Sequence, residues 1–440
     1  MENGFARHSS LITHHFSTNL KVLLLNQCFY PDVAATAQYL TDFAQGLSER
    51  GHSVTVITSD RGYDDPSQRF LRRETWRGIK IIRIRSLSLG KEARWRRAMD
   101  FASFLLRCSF RLLLLPGFDA VIALTSPPLI SFLGALFVQL KGGKLFFWVM
   151  DLNPDEAFAA GWLKESTLVA RFLRFCLRHS LQISEKTIVL DRFMKQRILD
   201  KGIADTKVAV VPPWALSPAV HYDPQGRQAF RERYDLSKKF VVMYAGNHSP
   251  CHPLGTLLEA AQQLATRAEI AFCFVGGGSE QKKVREFAAQ HDLKNIVCLP
   301  YQPLAELAGV LSAADLHAVV MGEKFVGIVH PCKIYNVLAV GCPFLYVGPE
   351  ESHIADIARN RKTDDSVYLA SHRERASLAG EIIRSVERHA ESPGNVRAES
   401  RDGVPDRFSR GSLLPMMIDI VERASTTAPI RATTISQSSV

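Results

Sequence analysis

The chain has no CxxC pair, no HExxH, no GxxxxGK[ST], no GxSxG, no GxGxxG and no DxD. These motifs belong to particular loops of particular folds, so their absence removes the simple zinc protease, P-loop NTPase, α/β-hydrolase, dinucleotide dehydrogenase and metal-dependent sugar transferase. There is no uncharged apolar run of the roughly 18 residues needed to span a bilayer. The best approach to one, FASFLLRCSFRLLLLPG (101–117), is broken by Arg107 and Arg111. Nor does the N-terminus carry the apolar core of a signal peptide. The eight cysteines do not cluster with histidines at zinc spacing, and most sit in apolar runs such as IAFCFVG. They read as small core residues in a reducing compartment, with no structural metal.

What the chain does have is a soluble-protein composition, with 46% hydrophobic and 22% charged residues over 440 positions. That length suits two domains better than one core. Thirteen Lys/Arg stand against three carboxylates between Arg69 and Arg111, which accounts for the whole net charge of +10. A single basic region fits contact with an anionic surface; a protein coated for nucleic acid would be basic throughout. KEARWRRAMDFASFLLRCSFRLLLL mixes basic, aromatic and aliphatic residues as a helix lying on a membrane does. An anionic membrane surface is therefore the expected partner for residues 69–115, and Phe101, Phe104, Leu105 and Leu112 at core spacing allow a packed helix instead.

Two halves share one grammar. KVLLLN (21–26), a helix with Tyr39, Leu40, Phe43 and Leu47 at helical spacing, and SVTVIT form a βαβ unit. Strands follow at DAVIAL, KLFFWVM, KTIVL and KVAVVP. The pattern restarts at VVMYAG (241–246) and continues through IAFCFVGGG, NIVCLP, LHAVVM and FLYVG. Alternation of strands and helices predicts an α/β fold of two Rossmann-like doubly wound domains facing across a ligand cleft. The expected boundaries are a disordered 1–19, a first domain over 20–212, a proline-rich linker over 213–226 and a second domain over 227–400. A closing helix over 401–424 that packs back on the first domain, and a disordered tail over 425–440, complete the division.

Phosphate-binding loops are sought at strand ends. Gly246, Asn247 and His248, with His252 close by, follow the first strand of the second half; Gly276 and Gly277 end the next strand; Tyr301 and Gln302 lie in LPYQP. In GIVHPCKIYNVLAVGCP (327–343), His330 and Pro331 open a helix with Lys333 in its first turn. A lysine there opposes the helix dipole unless an anion lies between them. The alternatives for each are ordinary: a solvated lysine, surface histidines, a packing tyrosine. Asp151, Asp155 and Glu156 form the carboxylate cluster at the end of KLFFWVM, as acceptor-side catalytic candidates or as caps of the turn that follows.

Four stretches then carry a resemblance: YPDVAATAQYLTDFAQGLSERGHSVTVITS, DLNPDEAFAAG (151–161), VVPPW (210–214) and GIVHPCKIYNVLAVGCP. In order and spacing they are similar to the family-4 glycosyltransferases of GT-B architecture, in the bacterial O-antigen and exopolysaccharide branch, over residues 20–425. The resemblance implies a nucleotide-sugar donor, UDP-linked, in the second domain and a lipid-linked or saccharide acceptor in the first. It also implies retention of configuration, no cofactor, no obligatory metal, and work at the cytoplasmic face of the plasma membrane. Asn336 then takes the place of a ribose-binding glutamate and Ile328 that of a second glutamate; Ala34 and Ala35 replace a glycine pair. A nucleotide-sugar epimerase of the same architecture, or a non-catalytic nucleotide-sugar-binding subunit, is the alternative.

Overall fold

The computed structural model describes residues 19–426, apart from 33, 64, 66, 88, 90–93, 216–219, 361–366, 371, 373, 374 and 392–405. Residues 1–18 and 427–440 of the proposed disordered ends (1–19 and 425–440), and part of the proposed linker, lie outside the described residues.

In chain order the first domain runs β1 (Lys21–Leu25), α1 (Ala35–Glu49), β2 (Ser53–Ser59), β3 (Arg73–Trp76), β4 (Ile79–Ile84), α2 (Arg94–Leu113) and β5 (Ala120–Ala123). It continues through α3 (Ile130–Lys141), β6 (Lys144–Trp148), α4 (Asp155–Ala159), α5 (Leu168–Ile183), β7 (Lys186–Val189), α6 (Arg192–Leu199) and β8 (Val208–Val210). Its eight strands lie in the order β3-β4-β2-β1-β5-β6-β7-β8, parallel except for β3. Period-2 alternation divides the two faces. Val22, Leu24, Val54 and Val56 pack under α1, whereas Leu23, Leu25, Ile57 and Val121 pack with Phe104 and Cys108 of α2 and Ile130 of α3.

The second domain runs α7 (Pro224–Arg233), β9 (Phe240–Asn247), α8 (Gly255–Gln263), β10 (Ile270–Gly277), α9 (Gln281–Gln290), β11 (Ile296–Leu299), α10 (Leu307–Ser312) and β12 (Leu316–Val320). Then come α11 (Lys333–Ala339), β13 (Phe344–Val347), α12 (His353–Arg359), β14 (Val367–Ala370), α13 (Arg375–Glu391) and α14 (Arg410–Thr426). Its six strands are all parallel, in the order β11-β10-β9-β12-β13-β14.

Three differences from the sequence reading have physical causes. The basic stretch 69–111 is divided between two elements. Arg73–Ile84 is a hairpin turning at Arg77 and Gly78, both with positive φ, and only its later part is the helix α2. Arg83, counted there as surface charge, is buried and donates to the carbonyls of Leu71 and Tyr30 at 2.8 and 2.7 Å. The linker is shorter than 213–226, because Pro224 takes the first turn of α7 and Asp223 caps it through the Gly226 N–H at 2.9 Å. Ser425 and Thr426, placed in the tail, finish α14.

α14 crosses to the first domain and packs on α1. A Cβ on Gly46 would come within 2.8 Å of Ile418 Cδ1, so a larger residue there would have to push that side chain aside. Arg50 pairs with Asp419 and Glu422 at 2.6 and 2.8 Å, and His52 Nε2 lies 2.7 Å from Glu422. VVPPW joins the same layer. Trp214, fully buried, donates to Asp42 at 2.9 Å, and Tyr39 donates to the Trp214 carbonyl at 3.1 Å.

Candidate functional site

The carboxyl ends of the two sheets face each other. The Leu152 N–H donates to the Ile328 carbonyl at 2.8 Å, and Arg197 donates to the Val326 carbonyl at 2.6 Å. Ile328, which stands where the resemblance expects a glutamate, has its side chain buried in the first domain's apolar cluster. It holds the cleft together.

On the second domain, Gly246, the last residue but one of β9, has φ +127°, and Gly276 lies against its carbonyl with φ +135°. Such values favour glycine. A Cβ at Gly246 would sit 3.5 Å from Lys333 Nζ, so the loop and the lysine are in contact. Lys333 is the first residue of α11. Its ammonium is buried, lies 3.4 Å from the centre of the Tyr244 ring, and has no hydrogen-bond partner. Burial pushes its pKa well below the usual lysine value. His248 is beside it, fully buried, with neither ring nitrogen bonded. Burial and the Lys333 charge lower His248 to about 4, so it is neutral at physiological pH and keeps one N–H to donate. His252 is fixed differently: Nδ1 sits 2.8 Å from the Val320 carbonyl, and burial lowers it to about 3. α11 has only seven residues, so the lysine, more than the dipole, supplies the positive charge.

Asn247 is exposed at the end of β9, and its Oδ1 lies against Gly278. Tyr301 covers Gly277, where an added Cβ would meet its ring at 2.9 Å. Asn336, half-buried, is one turn along α11 from Lys333. Gln302 is held elsewhere: its Oε1 accepts from Tyr234 at 3.2 Å and its Nε2 donates to the Pro300 carbonyl at 3.0 Å.

His330 does not join Lys333. The turn through Pro331 and Cys332 sends its ring into the first domain, with Nδ1 2.7 Å from Asp191 Oδ2 and Nε2 2.8 Å from the Tyr335 hydroxyl. His353 stacks on it at 3.7 Å, its Nδ1 3.4 Å from the same carboxylate oxygen. The histidines hold Asp191 well below the usual carboxylate range against the opposing effect of burial, and burial lowers His353. Among the described residues, Asp191, His330 and His353 form the one group with metal-capable atoms within 4.8 Å of each other. The rings are nearly parallel, 15° apart, and both Nδ1 atoms approach the same Asp191 carboxylate oxygen. The three side chains form a hydrogen-bonded carboxylate–imidazole cluster across the domain boundary.

On the first domain, Asp151 and Glu156 face the cleft together. Burial and the Glu156 charge raise Asp151 to about 8, opposed by the Arg97 guanidinium of α2; burial also raises Glu156. Glu156 accepts from Asn153 at 3.1 Å, and Cys251 of the second domain approaches it at 3.8 Å. Asp155 turns away into an ion pair with Lys201 at 2.6 Å. Tyr244, Arg97 and Asn153 are the participants that sequence reasoning missed. No local signal marks them, because each acts through a neighbour distant in sequence or through a turn.

Residues 35–214 match the family described as Glycosyl transferase 4-like domain, and residues 226–379 match Glycosyl transferases group 1. The chain belongs to the family-4 glycosyltransferases of GT-B architecture. This glycosyltransferase is 25% identical over 340 residues to the putative colanic acid biosynthesis glycosyl transferase WcaI of Escherichia coli, covering 73% of this chain and 82% of that one. It is 27% identical over 258 residues to the probable glycosyltransferase WbjE of Pseudomonas aeruginosa, covering 57% of this chain and 64% of the other. The GT-B fold is shared with Anabaena HepE, solved with UDP and glucose, at a TM-score of 0.66 and 15% identity over 91% of this chain and 99% of that one.

Proposed function

We propose that this glycosyltransferase moves a sugar from a UDP-linked donor to a lipid-linked or saccharide acceptor in cell-surface polysaccharide synthesis, with retention of configuration. The observation that carries the reading is the unpartnered, buried Lys333 ammonium under the Gly246 turn, with the unbonded imidazole of His248 beside it. A diphosphate supplies the missing counter-charge and acceptors for both. The base and ribose lie toward Gly276, Gly277, Tyr301 and Asn336, with Asn247 at the rim.

Asp151 and Glu156 face the acceptor. With Asp151 raised to about 8, it is protonated near pH 7 and is a poor base. It orients an acceptor hydroxyl, and the departing phosphate takes the proton on the face from which it leaves. No metal is needed, because the lysine supplies the charge that stabilises the leaving group. Support for membrane work comes from α2, α3 and α5, which lie side by side. Trp95, Met99, Leu106, Phe110, Leu140, Phe172 and Phe175 are exposed on them, among Arg96, Arg107, Arg171 and Arg178. None of the helices among the described residues is long and apolar enough to cross a membrane.

The test is calorimetric binding of UDP, GDP, ADP and CMP to the wild type and to Lys333→Ala. UDP should bind selectively, and the variant should weaken it roughly tenfold or more, the effect of one charge-assisted hydrogen bond. UDP binding unaffected by the substitution would remove Lys333 from the donor site.

A further inference from the structure

The second domain shows how the fold treats a buried cation that belongs to its framework. Arg227 and Arg231 of α7 reach the Asp315 carboxylate at 2.6 and 2.9 Å, and they hold it low against the opposing effect of burial. The Lys333 ammonium, also cut off from water, has neither an ion-pair partner nor a hydrogen-bond partner among the described residues. What surrounds it is other bases. His248 is fully buried with neither ring nitrogen bonded, and His252, also buried, feels the charge of Lys333. The Val320 carbonyl, 2.8 Å from His252 Nδ1, can only accept, so that nitrogen carries the hydrogen and Nε2 is left as a lone pair. Three bases thus lie together with no anion between them.

The other ionisable groups packed round them leave this balance in place. Tyr244 lies under the ammonium, and burial pushes its phenol well above the usual range, so it stays neutral. Cys251, on the same loop, is pushed up to about 12 by burial and the Glu156 charge, and is neutral as well. Arg285 of α9 adds to the positive field at His248. Across the cleft, Asp151 and Glu156 act on Cys251 and are themselves raised by burial. Burial lowers all three bases, and the Lys333 charge lowers the two histidines further, so the empty pocket holds fewer protons than the same groups would in water.

We propose that this pocket binds a nucleoside diphosphate together with a proton, which Lys333 and His248 take up as the anion enters and give back as it leaves. The inference rests on the donor reading above and adds how the site is regulated: affinity for the diphosphate falls as pH rises. A diphosphate restores the counter-charge that burial withholds, and both side chains then donate to its oxygens. Transfer uses the same pair. When the sugar–phosphate bond breaks, its electrons stay on the phosphate oxygen, and the acceptor oxygen takes the sugar carbon. The acceptor hydroxyl's proton is then left between that phosphate and the pair, and the pocket holds it until UDP departs.

Calorimetric titration of UDP into the full chain at pH 8, in Tris and in HEPES, reads the proton directly, because the two buffers release one with different enthalpies. The apparent binding enthalpies should differ by the uptake of about one proton, and affinity should fall by up to about tenfold for each unit of pH from 7 to 9. The terminal phosphate of UDP cannot imitate this, since a cationic site favours its ionised form and any titration of it releases a proton. Lys333→Arg, a base that keeps its proton, and His248→Asn, which has none to gain, should each take up less. A melting curve shows that each variant folds, and the wild-type measurements stand without them. UDP binding with the same enthalpy in both buffers, or with affinity flat from pH 7 to 9, overturns the inference and leaves the donor reading standing. Uptake undiminished in both folded variants places the proton elsewhere and overturns it too. Failure of UDP to bind the wild type would instead strike the donor reading, and the inference with it.

Discussion

At the scale of residues, Lys333 sets two effects against each other. Contact with the Tyr244 face favours a desolvated cation by about 2 kcal/mol, whereas removing an ammonium from water costs several kcal/mol. Desolvation wins, so the ligand-free protein carries a local penalty that a diphosphate relieves. Lys333→Met, similar in length and apolar, should raise the ligand-free melting temperature by a few degrees and abolish the rise caused by UDP. Differential scanning fluorimetry reads both, and a lower ligand-free melting temperature would mean that the lysine stabilises the fold. Asp151 gives a second prediction. Its folded pKa, about 8, lies above its unfolded value, so the folded state holds a proton that the unfolded state releases. Stability from this group is full below about pH 4 and falls as pH rises to about 8. Asp151→Asn should therefore gain more in melting temperature over the wild type at pH 8.5 than at pH 5. The variant should keep measurable turnover with a higher acceptor KM. Lost turnover with acceptor binding intact would make the carboxylate itself the proton acceptor.

At the scale of elements, α5 performs two tasks. Thr167 caps it through the Ala170 N–H at 3.2 Å, and Cys176, Leu177 and Leu181 face inward while Phe172 and Phe175 face out. The amphipathic spacing was legible in LVARFLRFCLRHSLQI, but the exposure of its second apolar row was not, because a sequence does not say which neighbours cover a helix. Flotation with anionic liposomes should show binding at low salt. Phe172→Ser with Phe175→Ser should weaken it at every salt concentration, whereas Arg171→Gln with Arg178→Gln should weaken it mainly at low salt. Equal binding by all the proteins would move the contact off α5. The hairpin β3–β4 shows the opposite limit. IKIIRI is rich in β-branched isoleucine and Arg-Gly marks the turn, yet Lys80 and Arg83 interrupt any period-2 alternation and hide the strand.

At the scale of the whole molecule, Asp191 ties the domains together and also caps α6 through the Met194 N–H at 2.8 Å. Breaking a buried pair of this kind costs roughly 3 kcal/mol or more, and losing a cap about 1 kcal/mol. Asp191→Asn keeps the cap and should lower the denaturation midpoint clearly; Asp191→Ala should lower it further by the cap's share. Because Asp191 is held low by the histidines, its contribution in the wild type is present above about pH 4 and is lost below it. Asp191→Asn should lack that acid-side loss. A variant as stable as the wild type would show that the pair holds nothing together.

By itself the sequence determined the repeating βαβ grammar, the two parallel sheets, the glycines at the strand ends and the position of Lys333 at the start of its helix. Those follow from local spacing and backbone preference, which the chain carries without reference to distant parts. Tertiary structure alone decided what each polar side chain meets. Asp155 meets Lys201, Gln302 meets Tyr234, and His330 meets Asp191, so three residues that looked suited to a ligand are already satisfied within the protein. Lys333 and His248 are left without hydrogen-bond partners at the cleft. The physical reason is that a buried polar group is stable only when bonded, and its partner is chosen by the folding of segments far apart in sequence.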